Sequence, residues 1–274
     1  MRRCRPLLGT FVEVDCDRPD AIDVAFAVIE RVHRLMSAHD PDSELSRISR
    51  FAHVEPVRVS EDTATVLRSA LDWYARSGGA FDTVRAGALA VERGSLPLHP
   101  GQPMPEATDA CVLHMDGNKV LLDRPACVDL GGIAKGYAVD LAVAALKEEG
   151  ASGGVVNAGG DLRAFGGAAE PIIIVEPESR RAQVEIELEN AALATSAGVP
   201  GDRGLSFAHL AGHQPGWTSV TVQAPTALVA DVLAKVVWTL GHDARFLLGE
   251  GDAKAFALHA GGALEEVGAT ALAA

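Results

Sequence analysis

A chain of 274 residues is long enough for one large domain, or for two closely packed lobes sharing a core. Its 48% hydrophobic and 22% charged content describes an ordered soluble protein and excludes disorder over most of the length. A formal net charge of -13 excludes a broad face for nucleic acid or anionic membrane, so an anionic nucleotide has to be held by a local device: backbone N–H groups, a lysine or a metal ion.

Cys4, Cys16, Cys111 and Cys127 are widely spaced and form no Cys-x-x-Cys pair, which argues against a zinc ribbon or a thioredoxin-like motif. Reduced, mostly buried thiols are expected. Behind the basic start there is no apolar run of signal-peptide length, and no stretch approaches the roughly 18 apolar residues of a spanning helix. The expectation is a cytoplasmic protein without a membrane span.

In chain order, Thr10 to Asp15 alternates like a strand. From Ala21 to Ala38, the spacing of Val24, Val28, Val32 and Leu35 predicts an amphipathic helix, with Asp20 as its N-cap. Asp40-Pro-Asp-Ser-Glu-Leu-Ser-Arg-Ile48 breaks that helix and starts a short one. Ser60-Glu-Asp opens a long helix to about Arg76, and Ser77-Gly-Gly ends it. Residues 88–109 are rich in Gly and Pro with weak periodicity, which predicts a surface excursion.

Val112 to Met115, Lys119 to Leu122 and Ala126 to Leu130 read as short strands, the first two joined by a hairpin at Asp116-Gly117. A helix is expected from about Ile133 to Glu149. Strands follow near Gly154 to Asn157, Leu162 to Phe165, Pro171 to Val175, Ala182 to Leu188 and Thr218 to Gln223. A helix from about Ala227 to Leu240, a short helix and a final strand complete the chain. Helices interrupting largely antiparallel strands predict an α+β fold rather than a doubly wound sheet.

The segment with most chemical content is Cys127-Val-Asp-Leu-Gly-Gly-Ile-Ala-Lys-Gly-Tyr-Ala-Val-Asp140. An apolar run enters two glycines and then a helix whose first turn carries Lys135. Glycines let the backbone approach a phosphate, free N–H groups at a helix start attract its charge, and the lysine adds a point charge. The same pattern also suits a plain tight turn with an exposed lysine. It contains neither Gly-x-Gly-x-x-Gly nor Gly-Lys-Ser/Thr, so Rossmann and P-loop readings lose weight.

This segment resembles the signature of the ApbE family of flavin transferases, and other segments match that family in order. Leu8-Gly-Thr10, Met36-Ser37 with Ser43-Glu-Leu-Ser-Arg-Ile48, Gly79-Ala-Phe-Asp-Thr-Val84, Val156-Asn-Ala-Gly-Gly-Asp161 and Ala194-Thr-Ser-Ala-Gly198 all take part. The resemblance implies an ApbE-like, T-fold-like architecture: residues 1–274 as a single domain of two packed lobes, with mixed, largely antiparallel sheets and flanking helices. It implies an FAD:protein FMN transferase that, with magnesium, moves FMN from FAD to a Thr or Ser hydroxyl of an acceptor protein and releases AMP. By position it places Leu8, Gly9, Thr83, Val84, Asp129, Gly131 and Lys135 along the FAD, and gives the Gly132 carbonyl and Asp231 to the metal. Transfer at phosphorus needs charge neutralisation, an in-line hydroxyl and a positioned base, and little else from the protein.

Two departures qualify the resemblance. Where the family has a second metal-ligand threonine four residues after the aspartate, this chain has Lys235, within Ala230-Asp-Val-Leu-Ala-Lys235. Three readings of the pair stay open: a helix-surface ion pair, a Lys235 ammonium occupying the magnesium position, or an ordinary metal site. The family's His-Ile-Ile-Asp-Pro segment reads Phe207-Ala-His-Leu-Ala-Gly-His-Gln-Pro-Gly216 here. His209 keeps the histidine and is the candidate base, though His209 or His213 also suits a plain loop role. Catalytic roles are thus assigned to His209 and Asp231. The rival functions are a non-catalytic FAD-binding carrier and a magnesium-dependent FAD pyrophosphatase. His33 and His39 lack zinc-helix spacing, and Trp73 and Tyr74 are read as helix packing.

Overall fold

The computed structural model of the chain describes residues 1–106, 111–167, 169–175, 182–197 and 216–268. Strands β1 (Arg2–Leu7) and β2 (Thr10–Cys16) form a hairpin, followed by helix α1 (Ile22–Met36). Next come α2 (Glu44–Phe51), β3 (Val57–Arg58), α3 (Glu61–Arg76), α4 (Thr83–Glu92), β4 (Leu113–Asp116) and β5 (Lys119–Leu122). Helix α5 (Ala134–Glu148) leads into β6 (Gly154–Ala158), β7 (Asp161–Phe165), β8 (Glu170–Val175), β9 (Ala182–Leu188) and β10 (Ala192–Ala197). The order ends β11 (Trp217–Ala224), α6 (Ala227–Leu240), α7 (Arg245–Glu250), β12 (Lys254–His259) and β13 (Leu264–Val267).

The main sheet has eight strands in the order β1-β2-β6-β7-β10-β11-β12-β13, and every neighbouring pair is antiparallel. A three-stranded sheet, β3-β5-β4, and the β8-β9 hairpin complete the strands among the described residues. Alternation in β2 turns Val12, Val14 and Cys16 inward, whereas the central strand β11 is buried at nearly every position. Helices α5 and α6 cover one face of the main sheet, and α1 packs on α5 and β2. Their apolar residues join those of α2, α3 and the small sheet in one continuous core.

Local signals explain most boundaries. The Ser60 hydroxyl accepts the Thr63 N–H and caps α3, while Ser43 does the same for α2 through Ser46. Glu44 ties the two helix starts together by accepting the backbone N–H and the hydroxyl of Ser60, at 2.9 and 2.8 Å. Gly117, at φ 57°, makes the β4-β5 turn as the Asp-Gly signal predicts.

Several expectations are corrected. Asp20 does not cap α1; it sits in a 3-10 turn (Pro19–Ala21), and no side chain caps the helix start. The inward face of α1 is Ile22, Ala25, Phe26, Ile29, Val32 and Met36, so Val32 is buried as its spacing predicts, whereas Val24 is exposed. Residues 88–92 belong to α4, and the irregular stretch after it buries Leu96 and His99 instead of running wholly over the surface. Ala126 to Leu130 is not a strand, because its N–H groups go to helices: Val128 to the Ser49 hydroxyl of α2 at 3.1 Å and Asp129 to the Thr83 carbonyl of α4 at 2.9 Å. The four cysteines are free, as expected, but Cys4 and Cys111 are exposed.

Candidate functional site

The β1-β2 turn, the β6-β7 turn and the start of α5 converge at one end of the main sheet. Leu8 and Gly9 turn with φ 55° and 72°, and β2 pairs with β6 so that Val12 faces Ala158. In the β6-β7 turn, Asn157 Oδ1 accepts the Gly160 N–H at 2.9 Å. Gly159 has φ 69°, and a Cβ there would lie 2.3 Å from the Thr10 hydroxyl, so the two turns touch only because residue 159 has no side chain. Asp161 then opens β7, 2% exposed.

The glycine turn is built by its own aspartate. Asp129 Oδ1 accepts the Gly131 N–H at 2.8 Å, and α5 starts as Ala134 N–H reaches the Leu130 carbonyl at 2.8 Å. Burial pushes the Asp129 carboxyl above the usual range, against the opposing effects of the Gly131 N–H, His39 and Lys135.

A cleft of about 970 Å³ opens here, inside the roughly 300–1,000 Å³ range of small-molecule sites. Leu8, Gly9, Asp129, Gly131 and Lys135 all line it. Thr83 and Val84 stand behind the glycine turn, where the Asp82 carboxylate caps α4 by accepting the N–H groups of Val84 and Arg85. Gly132 faces away from the cleft: a Cβ there would meet Phe81 at 3.3 Å and the Lys235 methylenes at 3.5 Å.

Beneath the turn lie four charged side chains. Lys135 pairs with Asp161, and Lys235 with Asp231. Asp231 and Lys235 are 0% and 5% exposed, so the reading of a helix-surface pair is overturned. The cause is the position of α6, whose middle is sandwiched between α5 and strands β10 and β11. Burial alone opposes the Lys135 charge, but Asp161 and Asp231 outweigh it and raise its pKa. Burial also works against the Asp231 charge, and the two lysines overcome it and hold that carboxyl below the usual range. Asp161 is raised, by burial first and by the neighbouring Asp231 second.

Asp231 has a further task. Its Oδ2 accepts the Gly136 N–H at 3.1 Å, an amide in the first turn of α5 that the helix itself leaves without an acceptor. In return Asp140, from α5, accepts the N–H groups of Ala227 and Leu228 at the start of α6, both at 2.9 Å, and pairs with Arg163 at 2.7 Å. The helices can approach this closely because residue 136 is glycine: a Cβ would lie 2.3 Å from the Ala227 carbonyl oxygen.

The donor set does not suit magnesium in the way the resemblance implies. Both Asp231 oxygens are engaged, by an ammonium and by an amide, and magnesium demands oxygen ligands in near-ideal geometry. Among the described residues no group of three or more His, Cys, Asp or Glu side chains converges for a metal. His209 and His213 lie outside the described residues.

Sequence reasoning missed Asp161 as the partner of Lys135, although the Gly-Gly-Asp161 stretch was in view, and it gave Asp140 no role. It also set aside His33 and His39, which line the cleft with Met36. Trp73 is core, as read, with the Arg76 guanidinium 4.0 Å over its ring.

Residues 8–257 match the model of the ApbE family. The chain is 31% identical over 248 residues to the FAD:protein FMN transferase of Haemophilus influenzae, covering 79% of this chain and 71% of that one. It is 30% identical to the FAD:protein FMN transferase of Vibrio cholerae over 79% and 72% of the two chains. Among solved structures it resembles the ApbE protein of Thermotoga maritima, with a TM-score of 0.81 at 26% identity over 97% and 96% of the chains. It also shares the fold of the Vibrio cholerae flavin transferase ApbE, with a TM-score of 0.78 at 23% identity over 97% and 96%.

Proposed function

The chain belongs to the ApbE family, and from that premise we propose that it is an FAD:protein FMN transferase whose whole length, 1–274, forms one flavin-binding domain. FAD is the donor, and a Thr or Ser hydroxyl of an acceptor flavoprotein is the nucleophile. That oxygen forms a bond to the FMN phosphorus, the bond from phosphorus to the AMP oxygen breaks, and the hydroxyl proton passes to a base. AMP leaves with the electron pair of the broken bond.

The observation that carries this reading is the cleft of about 970 Å³ in which Leu8, Gly9, Asp129, Gly131 and Lys135 meet. In this assignment the glycine turn and the first turn of α5 face the diphosphate, and Lys135 supplies positive charge to oxygens that gain negative charge during transfer. Thr83 and Val84 brace the turn from behind. His209 is assigned as the base, and Asp231 as the residue that fixes Lys235 and the α5 start. The resemblance gives magnesium to Gly132 and Asp231, an arrangement that the engaged Asp231 oxygens do not favour. A net charge of -13 disfavours nucleic acid as a partner, and no helix among the described residues is long and apolar enough to cross a membrane. The cytoplasm is the proposed location.

Incubation with FAD, magnesium and a candidate acceptor protein tests the assignment. Transfer yields AMP and a flavin-labelled acceptor. Free FMN with AMP points to the pyrophosphatase, and bound, unchanged FAD to the carrier; either result contradicts the transferase.

A further inference from the structure

We infer that this site holds the diphosphate of its dinucleotide without a divalent cation, because the Lys235 ammonium offsets the buried Asp231 carboxylate and leaves Lys135 to face the ligand. The inference rests on the flavin reading above and concerns how the same site handles charge.

Charge balance is the first argument. Two buried carboxylates, Asp161 and Asp231, face two lysines, and each lysine takes one of them. The cluster closes within the protein. Had residue 235 been neutral, two carboxylates would share the single charge of Lys135, and an anionic diphosphate beside them would be repelled unless a cation came with it.

Geometry is the second. The Lys235 stem lies under the glycine turn, its Cγ and Cε both 3.5 Å from where a Gly132 side chain would begin. Its ammonium thus sits on the inner side of the backbone whose outer side faces the cleft. A divalent cation on Asp231 would have to displace that ammonium and the Gly136 N–H, and would then lie beside a buried like charge. Lys135 lines the cleft itself and is the lysine that reaches a ligand. Lys235 acts one layer further in, as a fixed counter-charge that keeps Asp231 from drawing on Lys135. It is a positioning residue.

Quenching of FAD fluorescence, with the full-length chain titrated in millimolar magnesium and again in EDTA, tests this by affinity. The wild-type Kd is expected to agree within about twofold between the two buffers. Lys235→Thr removes the charge and supplies an oxygen ligand, so its affinity should fall about tenfold in EDTA and recover in magnesium. Lys235→Met supplies no ligand, so its affinity should fall in both buffers. A wild-type Kd about tenfold weaker in EDTA overturns the inference and leaves the flavin reading standing. It is equally overturned if Lys235→Met binds FAD as the wild type does. Absence of FAD binding in both buffers defeats the flavin reading itself, and the inference with it. The wild-type comparison needs no variant, so a poorly folding substitution does not shield the idea.

Discussion

Asp140 on α5 and Asp231 on α6 cap each other's helices. Asp140 accepts the Ala227 and Leu228 N–H groups that open α6, and Asp231 accepts the Gly136 N–H in the first turn of α5. Each carboxylate sits at the positive end of its partner's helix dipole. The exchange fixes where α5 begins, and therefore where Lys135 points.

Removing one half of that exchange is expected to be costly. Asp140→Ala leaves Arg163 and two helix-start amides without their acceptor, a loss of about 3 kcal/mol. In a chain of this size that lowers Tm by about 5 °C, and Asp140→Asn should lose less because it keeps an acceptor oxygen. Thermal unfolding of both variants checks the order and the size; an Ala variant as stable as wild type would contradict the capping role.

Gly136→Ala probes the crossing itself. The new methyl would meet the Ala227 carbonyl oxygen at 2.3 Å, so α6 has to move or α5 has to bend. Overpacking of this kind costs about 1–3 kcal/mol. Because Asp231 loses its reach to residue 136, FAD affinity should fall along with Tm. A variant that loses stability and binds FAD normally would separate the crossing from the site.

The Lys135 pKa lies above the usual lysine value, since Asp161 and Asp231 outweigh the burial that opposes its charge. For a lysine raised on folding, the stabilisation is complete below the unfolded pKa and is lost as pH rises through the folded one. The Tm gap between wild type and Lys135→Met should therefore stay constant from about pH 8 to about pH 10 and close only above that. Below that window Asp161, left unpaired in the variant, titrates in its own right. A gap already closing by about pH 9 would show that Asp161 does not hold the charge.

The elements with strong local signals were legible in the sequence. Ser60, Ser43 and Gly117 act through neighbours within a few residues, and α6 runs from the Thr226 cap to Gly241, both local signals. The Asp129 turn was legible for the same reason. What stayed hidden depends on contacts distant in the chain. The i,i+4 spacing of Asp231 and Lys235 is visible in the sequence, but their burial comes from α5 and the main sheet closing over α6. Asp161 meets Lys135 across 26 residues, and Asp140 meets the α6 start across 87, so no local pattern pairs them. Asp20 misled because a good capping residue one position too early is taken up by the 3-10 turn.

In the proposed assignment the cleft beside the Asp129 to Tyr137 turn is the FAD site, with Lys135 facing the diphosphate. Fluorescence titration of wild type and Lys135→Met with FAD, with circular dichroism to confirm that both are folded, tests it most directly. Wild type is expected to bind FAD, and a folded Lys135→Met to bind it at least about tenfold more weakly, the loss expected for one charge-assisted phosphate contact. Equal FAD affinity in the two proteins would contradict it.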